Sequence, residues 1–294
     1  MEAGSDNDKN QSFQERLQRS LSFSEWQVKE LDGLKLTTSP LLSRQEGLVH
    51  AFTTRHGGSC PSPFDNFNLG RSVGDEKVKE SALQNRQRLC RALKVDHDRL
   101  HVPGQVHSGH VVKVDGSMKP DLAGVDGLAT ASKNLPVLLH FADCVPVMIY
   151  EPELRLLSIV HAGWRGTAQS IAVMGVERLK ELGGDPRRML AAVGPAIGTC
   201  CYPTGLDVVE KLIATVNPSG SPAVDKLARK GLVEERQGQP RPNLKAINAL
   251  QLLNQGLAQV DVSEFCTSCR PELFYSHRQS GGITGRQGAV GCLV

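Results

Sequence analysis

LLSIVHAGWRGTAQSIAVMGVERLKELGG, residues 156–184, is the stretch on which the reading of the fold turns. It opens as an apolar, β-branched run that ends at His161. A tight loop carrying Gly163 and Gly166 follows, and then Ile171, Gly175, Leu179 and Leu182 recur near helical spacing up to a glycine stop. Strand, loop and helix in direct succession point to α/β architecture. Working outward, LPVLLHF (135–141) and VPVMIYEP (145–152) read as strands joined by the turn-like ADC (142–144), and a short strand is expected at HVV after Gly109. GLVHAFTTR (47–55) reads as a strand, followed by a Gly-, Pro- and Asn-rich ordered loop over 56–70. Asp75 is placed to cap a helix over 76–94, with Leu83, Leu89 and Leu93 toward the core. On the C-terminal side RRMLAAVGPAIG (187–198) repeats the strand-then-glycine theme and LDVVEKLIATV (206–216) reads as a helix. The polar, Pro/Gly-rich 217–243 reads as a surface excursion. NLKAINALQLLNQGL (243–257) reads as a helix whose core face is Leu244, Ile247, Leu250 and Leu257. Because some strands are adjacent in sequence, the expectation is layered α/β or α+β rather than strict βαβ alternation.

Composition bounds the function. Hydrophobic residues at 39% and charged residues at 22% are globular values, with aromatics at 4% leaving the core to aliphatic packing. A net charge of +3, without a dense Lys/Arg run, argues against nucleic acid and for a small-molecule partner. No apolar stretch approaches the ~18 residues of a membrane span, and the N-terminal twenty residues lack the apolar core of a secretory signal, so the cytoplasm is the expected location. Those twenty residues, polar and with little periodicity, are expected to lack fixed structure. The eight cysteines are then expected to be thiols or metal ligands rather than a disulfide framework. Oligomeric state is not legible.

Three segments carry candidate chemistry: QVHSG with His107, ADC with Cys144 and VHAGWRG with His161. Two imidazoles and a thiolate suit a catalytic zinc, which takes three protein ligands and leaves a fourth position open. The spacing is scattered, so the alternative of a small buried cysteine and structurally satisfied histidines stays open on chemistry alone. In HAGWRG, Gly163 and Gly166 permit close backbone approach and Arg165 adds a cation at a helix start, which makes either an anion site or a packing turn. Asp143 either orients a ligand or water or caps a turn. His110 and His140 are read as structural. Cys266 and Cys269 form a CxxC that adjacent Cys200 and Cys201 can complete to four sulfurs. A single CxxC is unspecific, however, and these four are read as buried thiols.

FTTRHGG, NLG, QVHSG, ADCVPV, HAGWRG, GPAIGTCCY, NLKAINALQLL, FCTS, FYSHR and GITGR, in this order from about Gly47 to the C-terminus, resemble the laccase-domain family. Its members are known as polyphenol oxidases and as purine nucleoside phosphorylases, and include the bacterial peptidoglycan editing factor. The resemblance implies one α/β domain, here 21–294, distantly similar to the catalytic domain of cytotoxic necrotizing factor. It implies metal ligands at His107, Cys144 and His161. It also implies zinc-dependent phosphorolysis of adenosine, inosine and S-methyl-5′-thioadenosine with adenosine deamination, nucleoside and phosphate being the partners. Arg165, Arg55 and Asp143 are the expected catalytic groups, and Arg165, Arg278 and Asn68 the expected substrate contacts. The alternatives are an amidase editing a UDP-muramyl-amino-acid precursor and a metal-independent hydrolase using Cys144 and His161. A copper oxidase is disfavoured, since multicopper chemistry needs many more histidines. The chain departs from the usual family pattern at Ser108, Pro203, Gln279 and Ser280.

Overall fold

Two twisted sheets stacked face to face form the centre of the computed structural model, which describes residues 6–117 and 122–294. The larger sheet runs in the order β1 (Phe23–Ser24), β13 (Gln259–Ser263), β10 (Leu190–Val193), β8 (Val145–Glu151), β9 (Leu156–Ala162), β6 (Gly127–Thr130) and β5 (Val111–Lys113). Its middle is antiparallel and both flanks are parallel. The second, all antiparallel, runs β2 (Val28–Leu31), β3 (Leu34–Thr37), β4 (Leu48–Thr53), β14 (Gln287–Leu293) and β7 (Val137–Phe141). Phe52, Leu139, Phe141, Met148, Tyr150, Leu157 and Ile159 fill the space between the sheets. Gly291 on β14 allows the close approach: a Cβ there would lie 3.0 Å from Leu157 Cδ2 and 3.1 Å from Ile159 Cδ1.

Helices cover the outer faces, giving a helix–sheet–sheet–helix layering of mixed α/β class. Helix α2 (Glu76–Ala92), capped by Asp75 through the Val78 N–H at 3.0 Å, lies on the smaller sheet's side and buries Leu89, with Leu83 and Leu93 half-buried. Helices α4 (Ile171–Glu181) and α7 (Leu244–Asn254) cover the larger sheet. All seven residues of β8 and of β9 are therefore buried, which explains why these strands read as continuous apolar runs instead of alternating ones.

Four expectations need correction. The N-terminal tail is largely a helix, α1 (Asp6–Ser20): Phe13 and Leu17, one turn apart, are buried in the core, and Arg16 and Arg19 bond Asn254 and the Ala258 carbonyl. Two apolar positions in an otherwise polar helix gave too little periodicity to detect. The surface excursion holds α6 (Pro222–Leu232), with Pro222 at its first turn, and a hairpin of β11 (Val233–Arg236) and β12 (Gln239–Pro242). The helix expected to follow HAGWRG is divided into the single turn α3 (Trp164–Ala168) and α4, because Ser170 takes a left-handed conformation at φ 55°. Finally, α7 is buried from Leu244 through Leu253 rather than along one stripe. Its Asn248 and Gln251 donate to the Thr167 hydroxyl and carbonyl at 2.9 Å each, anchoring α3 beneath the site. No helix among the described residues is long and apolar enough to cross a membrane.

One buried histidine gives this fold an acid limit. His50 on β4 accepts the Ser39 N–H at Nε2 (3.2 Å), and burial, opposed by the charge of Asp261, lowers its pKa to about 4 from 6.5. Protons bind the unfolded chain more readily, so this stabilisation is complete above about pH 6.5 and is lost as the pH falls through about 4. The amount is on the order of 3 kcal/mol. Melting temperature followed from pH 7 to pH 4 is expected to fall less steeply in His50→Gln, which cannot charge; equal slopes would refute this.

Candidate metal centre

The two central strands deliver two of the three candidate ligands. His161, the penultimate residue of β9, pairs across the ladder with Pro146, two residues beyond Cys144, which immediately precedes β8. His107 reaches them from a loop in which its own backbone is left-handed at φ 66°. The ligand atoms of His107, Cys144 and His161 all lie within 4.8 Å of one another, and the two imidazole centroids are 4.9 Å apart. Gly163 makes this convergence feasible. A Cβ there would stand 2.9 Å from Cys144 Sγ and 3.1 Å from His107 Cδ2, so the first glycine of HAGWRG makes room for the ligands.

Asp126 fixes the arrangement, and sequence reasoning missed it. Its fully buried carboxylate accepts from His161 Nδ1 at 2.8 Å, from the N–H groups of Val106, His107 and Ser108 at 3.0, 3.0 and 2.7 Å, and from the Ser108 hydroxyl at 2.8 Å. Burial works to raise its pKa, but these donors hold it well below the ordinary carboxylate range. An ionised carboxylate only accepts, so Nδ1 of His161 carries the proton and Nε2 is left for the ligand side. The departure from the family pattern at Ser108 thereby supplies one more donor to this carboxylate. Burial opposes a thiolate at Cys144, yet His161 and His107 pull its pKa down to about 6; burial opposes charge on His161, yet Cys144 and Asp126 lift it to about 9. Without a metal the two groups therefore favour a thiolate–imidazolium pair near neutral pH, and a metal would take the Nε2 position as that proton leaves. Two imidazoles and a thiolate with a carboxylate behind one of them match the donor chemistry of a zinc site.

The cluster opens into a cleft of about 890 Å³. Arg71, Arg86, Arg165, Arg278 and Arg286 line it, while Trp164, Ile197, Tyr202 and Leu244 add apolar surface. The Arg165 guanidinium stacks on Trp164 at 4.5 Å, and neither Arg165 nor Arg71 donates a side-chain hydrogen bond to the described residues, which leaves their donors for a ligand. Arg86 is held by the Leu69 carbonyl (2.8 Å) and faces His140 Nε2 at 3.2 Å. Burial, with the charges of Arg86 and Arg286, keeps His140 far below its ordinary pKa, so it sits neutral in the cleft wall.

Of the residues singled out from sequence, Arg165, Arg278 and Asp143 line this cleft with the three ligands. Both Asp143 oxygens are committed, to the Thr267 hydroxyl at 2.6 Å and the Arg278 N–H at 2.7 Å, so it braces the wall. Arg55 is not brought to the cleft: it bonds the carbonyls of Asp65 and Pro271 and stacks on Tyr275 at 5.0 Å. Asn68 is also absent from the lining. It is fully buried and accepts from Gly70 and Arg286 N–H groups at 3.0 and 2.8 Å, which positions Arg286. His110 lies outside the cleft. Arg71 and Arg86 were not singled out, since isolated arginines in a loop and on a helix carry no local pattern; Arg286 closes the GITGR motif, which was quoted for the family likeness without a role for its arginine.

The family model described as "Multi-copper polyphenol oxidoreductase laccase" matches residues 49–293. Among curated relatives, "Purine nucleoside phosphorylase YlmD" of Geobacillus stearothermophilus is 39% identical over 252 residues, covering 82% of this chain and 88% of its own length. "Adenosine deaminase RL5" of an unknown prokaryote is 30% identical over 254 residues, covering 82% and 92%. The crystal structure of YlmD from Geobacillus stearothermophilus superposes with a TM-score of 0.80 at 36% identity, over 91% of this chain and 98% of that one. A fold shared with YlmD over nearly its full length and a family match over residues 49–293 lead to one conclusion: the chain belongs to the multi-copper polyphenol oxidoreductase laccase family, among relatives named as purine nucleoside enzymes.

Proposed function

We propose that this chain is a zinc-dependent purine nucleoside phosphorylase acting on adenosine, inosine and S-methyl-5′-thioadenosine, with adenosine deaminase activity at the same site. The observation that carries the reading is one cleft with a His–Cys–His cluster on one wall and five arginines around it, two of them with free donors. Its volume suits a nucleoside together with phosphate. Zinc is favoured over copper because the donor set is two imidazoles and one thiolate, whereas multicopper chemistry uses many more histidines. Bound zinc supplies Lewis-acid polarisation and activates water at neutral pH.

In phosphorolysis a phosphate oxygen bonds to C1′ of the ribose as the glycosidic C–N bond breaks, and the base leaves with the electron pair and takes up a proton. The chain's part is to hold the dianion against Arg165 and its neighbours and to seat the base against the apolar wall of Tyr202 and Trp164. In deamination, water adds at the purine carbon bearing the amine and ammonia departs. With adenosine and phosphate the expected products are adenine and ribose 1-phosphate, at a rate that rises and saturates with phosphate. Arg165→Ala is expected to raise the apparent phosphate KM roughly tenfold or more, the value of a lost charged hydrogen bond, with metal content unchanged. Adenosine consumed only to inosine, at a rate indifferent to phosphate, would sink the phosphorylase reading and leave a deaminase.

A second reading rests on the series Asp126–His161–Cys144, which has the order of a metal-free cysteine nucleophile, base and orienting carboxylate. It predicts insensitivity to chelators and inhibition by thiol alkylation. The zinc reading predicts loss on chelation and recovery with added zinc.

A further inference from the structure

Four cysteines outside the cleft converge. Cys200 and Cys201 lie in a turn after β10, and Cys266 and Cys269 in the segment after β13; β10 and β13 are parallel neighbours, so their exits leave the same sheet end together. Ala196 and Cys266 extend that pairing by one bridge. All four Sγ atoms lie within 4.8 Å of one another, Cys269 standing 3.3 Å from Cys200 and 3.4 Å from Cys201. This corrects the expectation of buried thiols, because Cys200 and Cys269 are exposed and the other two only partly covered.

We infer that Cys200, Cys201, Cys266 and Cys269 form a second, structural zinc site of four thiolates. Zinc–sulfur bonds of about 2.3 Å in a tetrahedron place the sulfurs about 3.8 Å apart, close to the spacing already present. The backbone around Gly198 fits closely against these sulfurs. The Gly198 N–H donates to Cys266 Sγ at 3.2 Å, and a Cβ at Gly198 would press on Cys200 Sγ at 3.2 Å and on Cys266 Cβ at 3.4 Å.

The charge balance points the same way. Four thiolates around a divalent ion carry two negative charges, and Lys245, 3% exposed, sends its ammonium to the carbonyl of Phe265, the residue before Cys266. The ammonium also donates to the Ser263 carbonyl, and forms no ion pair with an acidic side chain among the described residues. Binding zinc releases the thiol protons to solvent and removes the exposed thiols of Cys200 and Cys269 from oxidation.

The consequence reaches the cleft. Tyr202, next to Cys201, forms part of its wall, and Thr267, between the CxxC cysteines, holds Asp143 beside the Cys144 ligand. The second ion clamps that wall from behind, and it stands or falls independently of the reaction proposed above.

The test uses the full chain purified without added metal. Unaltered protein is expected to hold two zinc ions, Cys144→Ala to keep one, and the double variant Cys266→Ser with Cys269→Ser to lose one. Cobalt loaded into Cys144→Ala is expected to give strong thiolate-to-metal charge transfer and tetrahedral visible bands, and zinc to protect these four thiols from alkylation. If the double variant fails to fold, Cys144→Ala still decides. A metal-free Cys144→Ala protein whose four thiols alkylate equally with and without zinc would overturn the site. So would disulfides among the four, seen as a mass loss of about 2 Da per bridge.

Discussion

His107→Gly is expected to lose one metal equivalent and about 10³-fold in kcat/KM while keeping its fold. A Lewis acid contributes several kcal/mol to transition-state stabilisation, and 1.36 kcal/mol is tenfold in rate. Glycine is the informative replacement because residue 107 sits at φ 66°, a backbone that glycine adopts without strain, and because the side chain it removes is exposed. The position also separates the two readings of the site. His107 is neither base nor orienting group in the series Asp126–His161–Cys144, although it helps hold the Cys144 thiolate, so metal content separates the readings where turnover alone does not: only a three-ligand metal site loses its ion with this side chain. Metal analysis with nucleoside turnover decides. Full metal occupancy and near-normal turnover in a folded His107→Gly protein would end the zinc assignment.

Asp126→Ala is expected to have the largest effect on stability. It strips a fully buried acceptor from three backbone N–H groups, one hydroxyl and one imidazole at once. Removing one side of such a buried, charge-assisted network costs about 3–5 kcal/mol. That amounts to a fall in Tm of roughly 10 °C for a chain of this size. Zinc affinity at the His–Cys–His site is expected to drop about 10- to 100-fold, because His161 loses the partner that orients its ring and fixes its tautomer. Asp126→Asn retains one acceptor oxygen and should cost less in melting temperature than in affinity. Thermal melts with a zinc titration check both effects. An Asp126→Ala protein that melts within a couple of degrees of the parent and binds zinc normally would show that the QVHS loop is held by something else.

Much of the fold was legible because it rests on local pattern. The runs at 135–141, 145–151 and 156–162 announced buried strands, Asp75 announced a helix start, and the glycines of HAGWRG announced a close approach. The elements missed were those whose stability comes from neighbours. α1 is held by two apolar side chains and two arginines, and α6 follows a proline in a stretch that is polar on average. Residues whose chemistry is intrinsic, His107, Cys144 and His161, were named from residue type and family likeness, and the fold brings them to one point.

The sequence alone determined which side chains can bind a soft divalent ion and which runs must be buried, because ligand chemistry and hydrophobic periodicity belong to residues and short segments. Only the tertiary structure decided what those side chains meet. It put Asp126 behind His161, turned Arg55 and Asn68 to holding loops, and gathered Arg71, Arg86 and Arg286 into the cleft. It also drew two distant cysteine pairs to a single centre at the exits of β10 and β13. The physical reason is the same in each case. A carboxylate's partners, a guanidinium's freedom and the distance between sulfurs depend on which strands pair, and strand pairing is a long-range choice that no local window of sequence contains.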